Sequence, residues 1–214
     1  MSGFELFELG TVVIAQPKHP VFAGGSPWPR AALSSVNPKL VLSTVEDSPL
    51  GSVRPVTRTR HGFVDVTGSQ FALMDTHESI LLRIKVDTAF GGIGKVRFRF
   101  TDGSGSEVGA AVARGLVKTR ELHLHVTEGQ HLRLSRTTLV SKEWLLADAG
   151  HGPVSRATAV GRVTVGSVEQ WRGRQRYVVE MGPGLEPAER RVVLASAVSL
   201  HLLRRVLGGD SAPG

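Results

Sequence analysis

The sequence predicts a mostly β protein: a closed or nearly closed antiparallel β-barrel with a buried hydrophobic C-terminal helix. Two observations lead to this prediction. Many short segments alternate apolar and polar residues, which is the pattern of antiparallel strands with one solvent-exposed face. Residues 192–203, in contrast, are apolar on all sides of a helix, and such a helix is buried all round. A helix enclosed by hairpins satisfies both patterns.

Residues 1–55 are predicted to form an N-terminal arm or the first strands, interrupted by a proline-rich loop. Prolines recur at positions 17, 20, 27, 29 and 38, and proline cannot donate a ladder hydrogen bond. Residues 40–45 have the composition of a short strand.

Residues 56–207 are predicted to form the barrel with its central helix. The alternation is clearest over 96–100, where apolar residues alternate with Arg97 and Arg99. Many strands of this kind are typical of a sandwich or a closed barrel. The other predicted strands cover 80–86, 107–113, 122–126, 131–139, 143–147, 154–166 and 175–181.

A weak internal repeat marks the hairpins. A strand is followed by an acidic residue, one or two small residues and a second strand, around Asp75, Asp102, Glu128 and Asp148. Aspartate accepts hydrogen bonds from its own turn and glycine tolerates positive φ. The acids are therefore interpreted as turn residues and not as catalytic groups.

The C-terminal helix is predicted over 187–207. Pro187 and Glu189 suit its first turn, and Gly208 with Gly209 suits its end. It is too short to span a bilayer, which requires about 20 apolar residues, and no transmembrane segment is predicted. Residues 208–214 are predicted to be a flexible tail.

Hairpins followed by a closing hydrophobic helix resemble the tubby C-terminal-like superfamily, which includes LURP-one-related proteins and phospholipid scramblases. The family unit is a strand, Asp, two residues, Gly and a second strand. Residues 98–109 match it with Asp102 and Gly105, and residues 145–150 match it more briefly. The resemblance covers about residues 60–206. It implies a twelve-stranded barrel with the C-terminal helix threaded through its middle.

Two departures limit what the resemblance implies. The turn at 76–79 lacks the family's glycine. The acidic calcium-binding stretch of the scramblases is replaced by residues 181–187 with one carboxylate, Glu186, so calcium-dependent lipid scrambling is not implied. The basic residues with which tubby proteins bind phosphoinositides have no assigned counterparts here.

Composition restricts the partners. The net charge of +7 favours anionic partners, although no run of like charge exceeds two residues, which is also typical of arginines scattered over solvent-exposed faces. The absence of cysteine excludes disulfides, thiolate ligands and cysteine nucleophiles. The first residues lack the basic start of a signal peptide, and a cytoplasmic location, peripheral to a membrane, is expected.

His123, His125 and His131 are the strongest candidate metal ligands. A three-residue loop over 128–130 would pair Thr127 with His131 and place Arg133 opposite His125. Because that cation would repel a metal ion, these histidines are interpreted as an ordinary outer face, and no metal or other cofactor is predicted.

Two short basic strips are the candidates for binding an anion or a lipid. The alternation places both on outer strand faces, where they could meet phosphate or lipid head groups. A solvent-exposed face with no binding role is the competing interpretation. The strips consist of Lys95, Arg97 and Arg99, and of Arg172, Arg174 and Arg176.

Other motifs point to structure and not to chemistry. Residues 91–95 resemble a phosphate-binding loop, but Ala89 replaces its first glycine and Val96 replaces its hydroxyl residue. Residues 103–109 resemble a dinucleotide-binding loop, but Val108 replaces its third glycine. Hairpin turns are therefore predicted at both. Ser196, Ser199 and His201 are interpreted as hydrogen-bonded core residues. No Gly-x-Ser-x-Gly motif is present and no catalytic residue is predicted.

The functional hypothesis is a non-catalytic binding or scaffold module of the tubby or LURP-one-like type. It would contact anionic lipid or phosphoinositide at a membrane surface, or a protein partner. One alternative is a lipocalin-like barrel for a small ligand, which requires the helix to lie outside. Another is a metal-dependent enzyme that uses His123, His125 and His131. Nucleic acid is not expected, because aromatic residues are few.

Overall fold

The computed structural model describes residues 5–16, 40–56, 70–88, 96–113, 121–136, 138, 141–150, 155–167 and 175–207. These residues form twelve strands and two helices. In chain order the elements are α1 (Glu5–Glu8), β1 (Thr11–Ala15), β2 (Leu40–Ser43), β3 (Pro49–Pro55), β4 (Gln70–Asp75), β5 (Ile80–Thr88), β6 (Val96–Asp102), β7 (Glu107–Ala113), β8 (Glu121–Val126), β9 (Leu132–Ser135), β10 (Glu143–Asp148), β11 (Gly161–Ser167), β12 (Gln175–Met181) and α2 (Pro187–Leu207).

The twelve strands form a closed antiparallel barrel, as predicted. Each strand pairs with the next along the chain, and β1 closes the ring between β12 and β2. Closure leaves no unpaired sheet edge. Residues 1–55 thus supply the first strands, β1 to β3, and the barrel extends to the N-terminal side of residue 56. The proline-rich segment 17–39 and the tail 208–214 lie outside the described residues.

The helix α2 lies inside the barrel. It packs against β12 and against β5 to β8, which are on opposite sides of the ring. Every side chain from Val192 to Leu203 is buried, with at most 4% of its surface exposed. The predicted buried helix is therefore confirmed. The lipocalin-like alternative required an outside helix and a free interior, and this condition is not met. Neither described helix has the apolar length that crossing a bilayer requires.

Small residues on β7 let the helix approach the sheet closely. Gly109, Ala111 and Ala113 are paired with the inward-facing Phe100, Phe98 and Val96 of β6. A Cβ atom on Gly109 would lie 2.8 Å from Cγ2 of Val192 and 2.2 Å from the backbone oxygen of His125. The helix accordingly packs most extensively against β7 and β8.

The N-terminal end of α2 is fixed by two charged side chains. The buried Glu189 accepts hydrogen bonds from the amides of Glu186 at 2.9 Å and Gln130 at 3.2 Å, so it caps the helix and holds the β8–β9 turn. Arg190 donates to the carbonyls of Gly182 and Leu185, each at 2.9 Å. It also donates to the carbonyl of Glu8, the last residue of α1, and to that of Leu9, the next residue. These bonds tie the start of the chain to the helix.

The two ends of the barrel differ because antiparallel connections alternate between them. The end where α2 begins carries α1 and the connections 44–48, 76–79, 103–106, 127–131 and 149–160. We call it the turn end. The opposite end, where α2 finishes, carries the remaining connections, and we call it the loop end.

Three turns at the turn end share one geometry. In each, the first residue accepts a hydrogen bond from the amide of a serine four residues later. The fourth residue is left-handed, with φ of 63° at Asp47, 65° at Glu78 and 95° at Gly105. Glu78 thus adopts the conformation that glycine adopts in the related turn, which explains how the turn at 75–79 forms without one. The acidic residues Asp75 and Asp102 act in their turns as predicted.

The strand predicted over 154–166 starts later, and that prediction is wrong in its first half. Residues 155–160 form turns and a bend, and β11 begins at Gly161. The amide of Ser155 donates to Oγ1 of Thr158 at 3.1 Å, which closes a local turn in place of a ladder bond.

Asp102 makes the stability of the barrel depend on acid pH. Its pKa is lowered below the ordinary value of 3.8, first by the Ser104 hydroxyl, which donates to the carboxylate at 2.6 Å, and then by backbone amides of the turn. A carboxylate with a lowered folded-state pKa stabilises the fold above its unfolded-state pKa and loses this contribution as pH falls through the folded-state value. We expect Asp102→Asn to reduce the loss of stability below about pH 4.

Urea unfolding at a series of acidic pH values measures this effect. Ser104→Ala removes the main donor and should reduce the acid dependence in part. An acid dependence equal to that of the wild type in both variants would contradict the assignment.

Candidate functional site

The outer surface of β5 to β9 brings together most of the described candidate residues. Strand register aligns Asp87, Arg97, Val112, His123 and Arg133 in one row across the sheet. A second row contains Lys85, Arg99, Ala110 and His125. Paired residues point to the same face of a sheet, so these side chains share one outer surface. We call the set Lys85, Arg97, Arg99, His123, His125, His131 and Arg133 the basic face.

The middle strand of the basic face is β7, whose outward residues Ala110 and Val112 are shorter than the side chains on the strands beside them. Arginines of β6 stand on one side and histidines of β8 on the other, about two strand spacings apart, or roughly 10 Å. Ala110 is buried although it points outward, because the longer neighbouring side chains cover it. An anionic group placed over β7 would have cationic donors on both sides.

The two arginines of β6 differ in their partners. Arg99 donates through Nε to Asp87 at 2.6 Å, and this hydrogen bond raises the pKa of the guanidinium above its usual value. Lys85 lies 3.9 Å from the same carboxylate. Arg97 is exposed and forms no salt bridge with any described residue. Arg97 is therefore the described strip residue most available to an anion.

The three histidines lie on this face, but in a different register from the one predicted. His123 is opposite Arg133, and the rings of His125 and His131 lie 4.7 Å apart. The predicted pairing of Thr127 with His131 is wrong. The amide of Thr127 donates to Val108 of β7 instead, while Glu189 of α2 holds the turn.

The described residues do not form a metal centre at these histidines. No three His, Cys, Asp or Glu side chains within the described ranges are arranged to hold a metal ion. His123 instead faces Glu121, with Nε2 3.5 Å from the carboxylate. The structure thus offers no support for the metal-dependent enzyme.

The second basic strip is described only at Arg176, which lies on β12 and is half-buried. Lys95, Arg172 and Arg174 lie outside the described residues. In the order of the ring, β12 is six strands from β6 in either direction. Arg176 is therefore on the opposite side of the barrel from Arg97 and Arg99, and the three cannot contact one flat surface together.

A groove of about 500 Å³ lies on the outside of β10 to β12. Its charged residues already pair with each other: Glu143 accepts from Arg156 at 2.8 Å, and Arg162 donates to Glu180. Leu145, Val160 and Met181 are among the apolar residues that line it. Because these charges neutralise one another, the groove has no strong preference for an anion or a cation.

The buried serines of α2 are hydrogen-bonded within the helix, as interpreted from the sequence. Ser196 donates to the carbonyl of Val192 at 2.6 Å, and Ser199 donates to that of Ala195 at 2.9 Å. Nδ1 of His201 lies 3.5 Å from the hydroxyl of Tyr177, which connects α2 to β12.

Comparisons of the chain with protein-family models, with curated proteins and with solved structures found no match. The family assignment made from the sequence therefore stays a prediction.

The sequence indicated the parts of the basic face but not their assembly. The sequence does not show that the first arginine strip and the histidines share a face, because β7 lies between β6 and β8 in the sheet. Lys85 and Arg133 were not among the anion-binding candidates. The small outward residues of β7 were the available signal, since they leave room between two strands of cationic side chains.

Proposed function

We propose that the protein is a non-catalytic binding module of the tubby or LURP-one-like kind that contacts anionic lipid through its basic face. It would act in the cytoplasm, peripherally at a membrane surface. The observation that carries the proposal is the alignment of Arg97 and Arg99 with the histidines of β8 and with Arg133 on one outer surface. Basic side chains near an anionic leaflet each contribute about 1 kcal/mol to binding.

The distribution of carboxylates supports this orientation. Exposed acids concentrate at the turn end, where the described basic side chains include Arg156, Arg190 and Arg191. An anionic surface would repel that end and favour contact through the side or the loop end. The exposed acids of the turn end are Glu8, Glu46, Asp47, Glu78, Glu107, Glu128 and Glu186.

Much of the net positive charge lies outside the described residues. The segments 17–39, 57–69, 89–95, 114–120 and 168–174 contain eleven Lys or Arg and two Asp or Glu. This charge adds to the attraction of the chain as a whole for an anionic leaflet.

Flotation with lipid vesicles tests the proposal. At low salt we expect the protein to float with phosphatidylcholine vesicles that contain phosphatidylglycerol and not with pure phosphatidylcholine. The double variant Arg97→Gln/Arg99→Gln should bind about tenfold more weakly, because two charges near the surface are lost and Arg99 is already paired with Asp87.

A matched control removes the same charge from another face. Arg156 and Arg162 are 79% and 49% exposed, and β11, which carries Arg162, lies five strands from β6 in the ring. Arg156→Gln/Arg162→Gln should therefore bind nearly as well as the wild type. Equal weakening in both double variants would contradict a specific face. Weakening only by Arg176→Gln would assign binding to the opposite side of the barrel. No flotation at low salt, at either neutral or mildly acidic pH, would remove the lipid proposal.

A further inference from the structure

Three histidines occupy one half of the basic face. His125 and His131 are exposed. The side chain of His123 is 35% exposed, and its buried Nε2 atom lies 3.5 Å from the Glu121 carboxylate, which would stabilise the protonated ring. Histidine is the side chain whose charge ordinarily changes between about pH 5 and pH 8. Any change in their charge would act on the same surface that carries Arg97 and Arg99.

Charged groups surround these histidines on every neighbouring element. The basic groups are Arg83 and Lys85 of β5, Arg97 and Arg99 of β6, and Arg133 of β9. The acidic groups are Asp87 of β5, Glu107 of β7, Glu121 of β8 and Glu128 of the β8–β9 turn. Two further carboxylates lie beside that turn, Asp148 of β10 and Glu189 of α2. These carboxylates offset the basic groups when the imidazoles are neutral, and three protonated imidazoles add three positive charges.

We propose that protonation of His123, His125 and His131 controls the affinity of the basic face for an anionic lipid surface, so that binding is weak near neutral pH and strong at mildly acidic pH. This inference rests on the proposed function and adds its regulation. The carboxylates balance most of the arginine charge at neutral pH, and the imidazoles supply the excess on acidification.

The geometry gives the histidines a direct part in binding. His123 and His125 lie on β8 across Ala110 and Val112 from the arginines of β6. His125 and His131 lie with ring centroids 4.7 Å apart, so two imidazolium charges there would repel each other. An anionic group bound between the histidines and the arginines would relieve that repulsion. By linkage, binding of the anion must then favour uptake of protons by the face.

Vesicle flotation at two pH values is the primary test. Phosphatidylglycerol is the suitable anionic lipid, because its phosphodiester keeps its charge over this range. From about fivefold per added charge near an anionic leaflet, we expect binding to be on the order of 100-fold stronger at about pH 5.5 than at about pH 7.5. The triple variant His123→Gln/His125→Gln/His131→Gln should lose most of this difference.

The control variant is His77→Gln. His77 is exposed in the turn that follows β4, at the turn end, and should leave the pH dependence unchanged. A second readout does not depend on mutation: when protein and vesicles are mixed in weakly buffered solution near pH 6.5, the mixture should take up protons. Uptake should be absent in the triple variant. Thermal melting at both pH values checks that each variant is folded.

The outcomes separate this inference from the proposed function. Equal binding of the wild type at both pH values would overturn the pH control and leave lipid binding intact. A pH dependence that survives in the triple variant would overturn the assignment to these histidines. No binding at either pH would remove the proposed function itself.

Discussion

Replacing Val198 or Leu200 with aspartate is expected to unfold the barrel. The two side chains are 0% and 4% exposed, and at about 100° per residue they point to opposite sides of α2. A buried carboxylate without a partner costs roughly 3–5 kcal/mol, a large share of the 5–15 kcal/mol that stabilises a typical protein. Urea unfolding followed by circular dichroism should show a much lower midpoint for each variant.

The comparison of the two positions makes the test specific. A helix on the outside of a barrel would have one exposed side and would tolerate at least one of the substitutions. Val45→Asp is the control, because Val45 is 54% exposed and should change stability little. A wild-type midpoint in either core variant would contradict a helix enclosed on all sides.

Replacing Gly109 with alanine is expected to destabilise the protein by roughly 3 kcal/mol, at the upper end of typical overpacking costs. The added methyl group would lie 2.2 Å from the backbone oxygen of His125 and 2.8 Å from Cγ2 of Val192. To relieve these two contacts, β7 must move away from β8 and α2 must move away from β7. Equilibrium unfolding in urea measures the change in free energy.

Gly184→Ala provides the control for the same chemical change. A Cβ atom at Gly184 meets no atom within 4 Å, so this variant should differ little from the wild type. Equal stability of Gly109→Ala and the wild type would show that α2 does not press against β7. A shift of the Val192 methyl resonances in Gly109→Ala would locate the displacement.

Local patterns explain why the architecture could be predicted. The alternation over Val96–Phe100 shows which side of β6 faces inward, because strand side chains point alternately to the two sides. The absence of a polar face over residues 192–203 shows that α2 needs protein on every side. Both signals lie within one element, so neither requires knowledge of the rest of the chain.

Features that depend on distant residues could not be predicted. The pairing of Thr127 depends on β7, and the β8–β9 turn is held by Glu189, 59 residues beyond Gln130. The basic face requires the register of five strands at once, and a shift by one residue would turn each side chain inward. The positive φ of Glu78 could not be predicted, because glutamate rarely adopts the left-handed conformation.

Ring closure between the first strand and the last places a demand on the order of folding. Val13 pairs with Val178, so every strand up to β12 must leave the ribosome before β1 finds the second of its two neighbours. The helix that fills the interior is synthesised later still. Until then the inward-facing apolar side chains of the hairpins are exposed to solvent. Such partly folded chains are prone to aggregation, and chaperones commonly assist them. A barrel built around a helix that follows all of its strands in the sequence therefore completes its core late.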